Sequence, residues 1–466
     1  MIIFKSVRTA CANDFSAYKP EWWALEGLLV LEESLVVANL VNRDYENSFV
    51  NAGDTVHVAK AGTFTANSKV QGSPVTVQNA TATDTLVKLN QHLETTFHID
   101  DREAQKSLPE LRELFLAPAM RSIAEGIDAA VNGEVYQFYG NAVGEVGVAL
   151  TARSIIDLDR TFNTNNNPAD GRMLTVGPAG KADLYNIDRF SDADKAGNGR
   201  SNLSAGNIGD IMGMDVFMSQ TIGRQLSKRA ASTAETATVG IYGANSATIS
   251  TAAASHTVGT WFTIAGVPGI YRLTAAVTGT SSTSIAFEPS LKGAFAANKT
   301  VTFFESPGDV KGAHTADGSL QTIVTDGYTA ATDIPQVGQG ITFGVTAGLA
   351  IYTVTKVSGT WASSSTEITL TLNRPLEATL ADNAVINLLP EGGSYNMAFR
   401  KDAITLVNRP LAPASASVAA ATMNANGVAL RVTIGYDQDY MKHKVTVDTL
   451  LGVKVLDSAQ GAILIN

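Results

Sequence analysis

The residues able to do chemistry are few, and their spacing does not bring them together. His92, Glu94 and His98 alternate with apolar positions and so share one face of a strand. Imidazoles are good metal ligands, but a strand holds this pair about 20 Å apart, too far for one ion. A solvated polar face is the plainer reading. His57, His256, His314 and His443 have no Asp with Ser or Cys placed to complete a nucleophilic triad. Gly177-Pro178-Ala179-Gly180-Lys181 carries the Gly-Lys pair of a phosphate loop, but its glycines are too close and Ala182 replaces the hydroxyl. It reads as a helix start. Asp192-Ala193-Asp194 with Gly197-Asn198-Gly199 resembles the opening of a calcium loop and lacks the closing Glu. Cys11, the single cysteine, excludes an internal disulfide framework and a thiolate metal cage. No catalytic, cofactor-binding or metal-ligating residue is predicted, and the chain is not read as an enzyme.

Composition narrows the classes further. The chain has 466 residues, 45% of them hydrophobic, and a net charge of -10. That is ample for more than one core. No Lys/Arg-rich run is present, which argues against tight nucleic-acid binding. The most apolar segment, Leu25 to Val41, is interrupted by Glu26, Glu32 and Glu33, so no membrane span is expected. The short apolar run at Met1 to Phe4, with its charge following, does not read as a signal peptide. Folding in a reducing cytoplasm is the expectation.

Three elements dominate the pattern. The first is a long helix from Ser107 to Gly140, opened by the capping box Ser107-Leu108-Pro109-Glu110. Its apolar stripe is Leu111, Phe115, Ala119, Ile123, Ile127, Val131, Val135 and Phe138, with Asp128 placed off the stripe. Pro118 should kink or split it. The second is an alternating stretch from Thr85 to Asp100, paired as a ribbon with a strand near Val56. A two-stranded ribbon is marginal unless its apolar face is covered. Val87, Leu89, Leu93 and Phe97 are therefore predicted to meet a partner subunit. An N-terminal helix over residues 20–41, with Trp22, Leu25, Leu29, Val36 and Leu40 as its stripe, adds the adjacent Trp22 and Trp23. One of these must find cover off the stripe, so both join the intersubunit candidates, beside the plainer alternative of docking on their own domain.

The third element is a Thr/Ser/Gly-rich region over 225–391 that repeats itself. Val258-Gly259-Thr260-Trp261-Phe262-Thr263-Ile264 and Ile270-Tyr271-Arg272-Leu273-Thr274 recur as Val337-Gly338-Gln339-Gly340-Ile341-Thr342-Phe343 and Ile351-Tyr352-Thr353-Val354-Thr355. Two related β modules, or halves of one barrel, are expected, inserted into a host domain whose sequence resumes near Gly392.

Certain residues resemble a known family. They are Leu40-Val41-Asn42-Arg43-Asp44-Tyr45-Glu46, the strand entry Ala52-Gly53-Asp54-Thr55-Val56, and the ending Asp448-Thr449-Leu450-Leu451-Gly452-Val453-Lys454-Val455. Together they are similar to the major capsid (coat) proteins of tailed phages, the Hong Kong 97-type fold, in the short-tailed-phage family that carries an inserted β domain. The resemblance covers residues 20–224 and 392–466; the duplicated insert departs from it. It implies an α+β fold with an N-terminal arm (1–48), an extended β loop (49–100) and a spine helix of the peripheral domain (101–150). It further implies an axial domain (151–224 and 392–430) interrupted by the insert (225–391), and C-terminal strands of the peripheral domain (431–466). The implied function is an icosahedral virion shell around double-stranded DNA, assembled from many copies on a scaffolding protein, expanding as DNA enters through a portal protein, and containing no cofactor. Glu21, Glu26, Glu32 and Glu33 are candidate contacts for a basic scaffold segment, Glu32 and Glu33 foremost. An encapsulin-like compartment and an extracellular β-repeat adhesin or surface-layer protein are the alternatives.

Overall fold

The computed structural model describes residues 24–45 (less 26, 29, 32 and 33), 55–60, positions 64, 66–69, 71–72, 74 and 77, then 83–100, 112–187, 209–223 and 235–466. The last range omits 238, 250–254, 279–282, 297–298, 307, 318–320, 345–349, 391, 410, 412–418, 426–427 and 438–441. The chain is mixed α/β, mostly strand with few helices. It divides into two compact units, each built from discontinuous sequence.

The larger unit comprises Leu35–Gln91, Gly126–Val407 and Leu451–Asn466. Its central sheet has the order Ala142–Val143, Gly461–Ile465, Tyr395–Arg400, Arg172–Val176, Met214–Met218 and Asp210–Ile211. The helix Ala152–Thr164, capped by Thr151, buries Ile155, Leu158 and Phe162 against Leu174, Met214 and Leu464 of this sheet. Strands from residues 142–218 and from residues 395–465 thus share one core. The sequence reading placed 461–465 with the other C-terminal strands. The structure pairs it instead with Tyr395–Arg400, because its all-apolar run suits a strand covered on both faces.

The long helix is wound three ways. Arg112–Leu116 is a π-helical turn, Ala117–Asn132 is α-helical, and Gly133–Asn141 is a 3₁₀ helix. Pro118 lies just inside the α-helical section, where a proline removes one intrahelical bond, and the wider turn directly precedes it. The predicted stripe from Ala119 to Phe138 is buried. Asp128, assigned to the polar side, is also buried. Its carboxylate accepts the amides of Val36 (3.0 Å) and Ala38 (2.9 Å), tying the 3₁₀ turn Val37–Asn39 to the helix. Burial pushes this carboxyl up despite those amides and the nearby Arg43. The capping box at Ser107 lies outside the described residues.

Residues 235–388 form a closed barrel and a six-stranded sheet with the same strand order. The first closes through Glu235–Ala237, Ser246–Ile249, Thr283–Glu288, Tyr271–Leu273, Trp261–Ile264 and Lys299–Phe304. The second runs Asp309–Val310, Thr322–Asp326, Ile368–Leu372, Tyr352–Ser358, Gly340–Phe343 and Ile386–Leu388. A bridge between Asp309 and Val385 brings its two edges together. In chain order both follow first, second, fifth, fourth, third, sixth. Phe262, Tyr271 and Phe287 fill the first core, and Ile341, Tyr352 and Leu372 the second. The turn glycines Gly259 and Gly338 even share a left-handed φ, 87° and 86°.

The smaller unit comprises Met1–Ser34, His92–Glu125 and Asn408–Leu450. Ala419–Ala425 pairs with Val428–Asp437, which pairs with the long strand Lys442–Val455. Gln91–Asp100 adds to that long strand. The described residues of the N-terminal helix end at Ser34, not near Val41. Ala24, Leu28 and Leu31 are its buried side, whereas Leu25 of the predicted stripe is exposed. Gly27 sets the approach: a Cβ there would lie 3.0 Å from the Met120 sulfur and 3.5 Å from Leu430.

Candidate assembly surface

The ribbon is positioned by two different partners. Thr83–Lys88 pairs antiparallel with Thr55–Lys60, from Thr55 opposite Lys88 to Lys60 opposite Thr83. No third strand joins this pair among the described residues. After a break at Leu89 and Asn90 the chain resumes as Gln91–Asp100 on the C-terminal strand. The predicted single long strand is therefore two. Its alternation survives the break, with odd positions covered and most even ones exposed.

That alternation sorts the predicted contact residues. Val87 is 0% and Leu89 3% exposed, both covered by their own chain, so neither is left for a partner. The cause is the long strand crossing the ribbon base: a Cβ on Gly452 would meet the Lys88 carbonyl oxygen at 2.1 Å. Leu93 and Phe97 are only half-covered, Phe97 by stacking on Phe115 at 5.8 Å between centroids. On the opposite face His92 lies 3.1 Å from Asp448, and Thr96 donates to Thr446 at 3.1 Å. Asp448 also takes a two-pronged contact from Arg431, whose guanidinium is held further protonated by it. Towards the ribbon's far end Phe64 is 67% and Val77 82% exposed, and Leu86 is exposed as well. Sequence reasoning missed these because neither Phe64 nor Val77 sits in a periodic run. Trp22, Trp23, Glu32 and Glu33 lie outside the described residues, as do Cys11 and the Asp192 to Gly199 segment.

The residues that suggested chemistry have structural partners. The Gly177 amide donates to Asn396 Oδ1 at 2.8 Å, so this helix start is met by the protein itself. His256 is buried, stacked on Phe303 at 3.9 Å, with Nδ1 3.1 Å from Glu305. Although burial opposes it, the bonds from His256 and Thr260 lower the Glu305 carboxyl. Among the described residues no three potential ligands gather around a metal position. No described helix is long and apolar enough to cross a membrane.

Both barrels are moored to the 3₁₀ end of the long helix. Three residues per turn place Gly133, Tyr136 and Tyr139 in one file. For the second barrel, Thr353 Oγ1 donates to the Gly133 carbonyl (2.8 Å) and the Tyr136 hydroxyl to the Gly338 carbonyl (2.7 Å). For the first, Arg272 donates to the Tyr139 hydroxyl (3.0 Å), which donates to Glu288 (3.2 Å). Arg272 also pairs directly with Glu288, and Tyr139 packs edge-on against Trp261 at 5.4 Å. Trp261 donates in turn to Thr342 of the second barrel at 3.1 Å.

The segment around Asn42 is held by local contacts. Asn42 bridges to Thr405, its amide donating to the Ile404 carbonyl at 3.0 Å, while its side chain donates to Asp402 and accepts the Asp44 amide. Arg43 turns back on the Ala38 carbonyl at 3.0 Å. No family model and no curated protein matches the chain. Among solved structures it is similar to a chain of Mycobacterium phage Che8, with 13% identity, a TM-score of 0.44 and coverage of 92% of this chain and 90% of that one. It is similar to a chain in the capsid structure of the cyanophage P-SCSP1u, with 11% identity, a TM-score of 0.42 and coverage of 92% and 87%. A virus-like particle from Pyrococcus furiosus gives 9% identity, a TM-score of 0.34 and coverage of 95% and 98%.

Proposed function

We propose that the chain is a major capsid protein of a tailed phage, many copies of which close into a shell around double-stranded DNA. The observation that carries this reading is the two-stranded ribbon, covered at its base and exposed beyond it. Thr55–Lys60 and Thr83–Lys88 form a sheet of their own, and the apolar side chains Phe64, Val77 and Leu86 stand in water. A two-stranded ribbon in that state is marginal and gains stability when laid on another subunit. In the smaller unit the half-covered Leu93 and Phe97 are further candidates for intersubunit contact. Trp22 and Trp23 are proposed intersubunit contacts, and Glu32 and Glu33 proposed contacts for a basic scaffolding segment, on the sequence alone. A scaffold and a portal are the partners this function requires. Electron microscopy of the purified chain, with and without a co-expressed scaffold, tests the proposal. Closed particles of uniform size are expected; a monodisperse monomer under all assembly conditions removes it. Particles from infected cells that hold double-stranded DNA separate a virion from an encapsulin-like compartment.

A further inference from the structure

A cavity of 590 Å³ lies in the larger unit between the ribbon base, the second barrel and the last residues of the long strand. Asp84, Lys88, Arg374, Glu377 and Lys454 line it. The Arg374 side chain is nine-tenths buried, and its Nε has no acceptor among the described residues. Its other nitrogens reach the Ile351 carbonyl at 2.6 Å and Glu377 at 3.5 Å. Lys454 lies 3.9 Å from the same Glu377. One half-exposed carboxylate thus serves two cations at long range. The Lys88 ammonium has no ion-pair partner among the described residues. The Asp84 carboxylate is engaged by His57, whose hydrogen bond lowers it and keeps it anionic. Glu134 is fully buried; burial raises its carboxyl despite Arg374 and Lys454, and among the described residues only Asn373 donates to it.

A guanidinium withdrawn from water is costly unless its charge and donors are met. Its lining sets three cations, Lys88, Arg374 and Lys454, against two carboxylates, Asp84 and Glu377, and it has room for a few side chains, not for a nucleic-acid duplex. We propose that it receives an acidic side chain from a second copy of this chain, seated between Lys88, Arg374 and Lys454. The chain carries 44 Asp and Glu against 34 Lys and Arg, so a neighbouring copy presents carboxylates in excess. This inference rests on the shell reading.

Particles assembled from equal amounts of ¹⁴N- and ¹⁵N-labelled protein, treated with a zero-length carbodiimide, test it directly. Peptides of mixed isotope joining Lys88 or Lys454 to an Asp or Glu are expected. Joined peptides of a single isotope only, such as Lys454 with Glu377, overturn the proposal. The double variant Lys88→Glu, Lys454→Glu should need at least tenfold more protein to assemble while keeping its melting temperature. Assembly at the parent's concentration and salt dependence also overturns it, leaving the shell reading intact. A parent chain that never forms particles overturns both. If the variant fails to fold, the isotope experiment on the parent decides.

Discussion

Gly452 is where backbone meets backbone. With the Lys88 carbonyl oxygen 2.1 Å from any added Cβ, Gly452→Ala must push the ribbon base off the long strand. A cost of about 1–3 kcal/mol is expected for such overpacking, read as a lower urea midpoint. Glu134 gives a pH signature. Its carboxyl is raised by burial, so the folded chain holds that proton more tightly than the unfolded chain. Its stabilising share is complete below the ordinary Glu range and is lost as pH rises through the raised value. Glu134→Gln should therefore gain stability relative to the parent as pH increases from 4 to 8 in urea titrations; a constant difference would refute this. Neither Glu134 nor Asp128 was legible as buried. A helical wheel places them beside polar neighbours, and their partners, Asn373 and the amides of Val36 and Ala38, are far away in sequence.

At the scale of elements, the repeat was legible through matched residue runs, which lie on Trp261–Ile264 and Tyr271–Leu273 in the first copy and on Gly340–Phe343 and Tyr352–Ser358 in the second. The opening strands, such as Asp309–Val310 and Glu235–Ala237, are too short to carry such a run, yet they bring each barrel's edges together. The ribbon hid its break for a related reason. Parity continues through Leu89 and Asn90, so the pattern cannot register that the pairing partner has changed. Each barrel has its own apolar core. Residues 230–391 expressed alone are expected to give a β-rich circular-dichroism spectrum and a cooperative melt, and a random-coil spectrum would contradict that. Arg272→Ala should cost about 2 kcal/mol, the scale for a hydrogen bond to a charged group. Faster amide exchange in the Gly133–Asn141 segment should accompany it.

For the whole molecule, the two-stranded ribbon with its exposed apolar residues is the feature that bears on self-association. Phe64 and Val77 are among the most exposed large apolar residues, together with Ile241, Tyr242 and Val337. Phe64→Asp should leave the unassembled chain's melting temperature unchanged and raise the concentration needed for particles several-fold, measured by light scattering. Equal assembly would remove that residue from the interface. The file of moorings on the 3₁₀ segment has a use in engineering. The exposed loop tip at Ile241 and Tyr242 and the exposed loop around Ser363 belong to separate barrels fastened to the same short stem. Peptides grafted at both tips would be displayed as a pair at a fixed separation, repeated on every subunit.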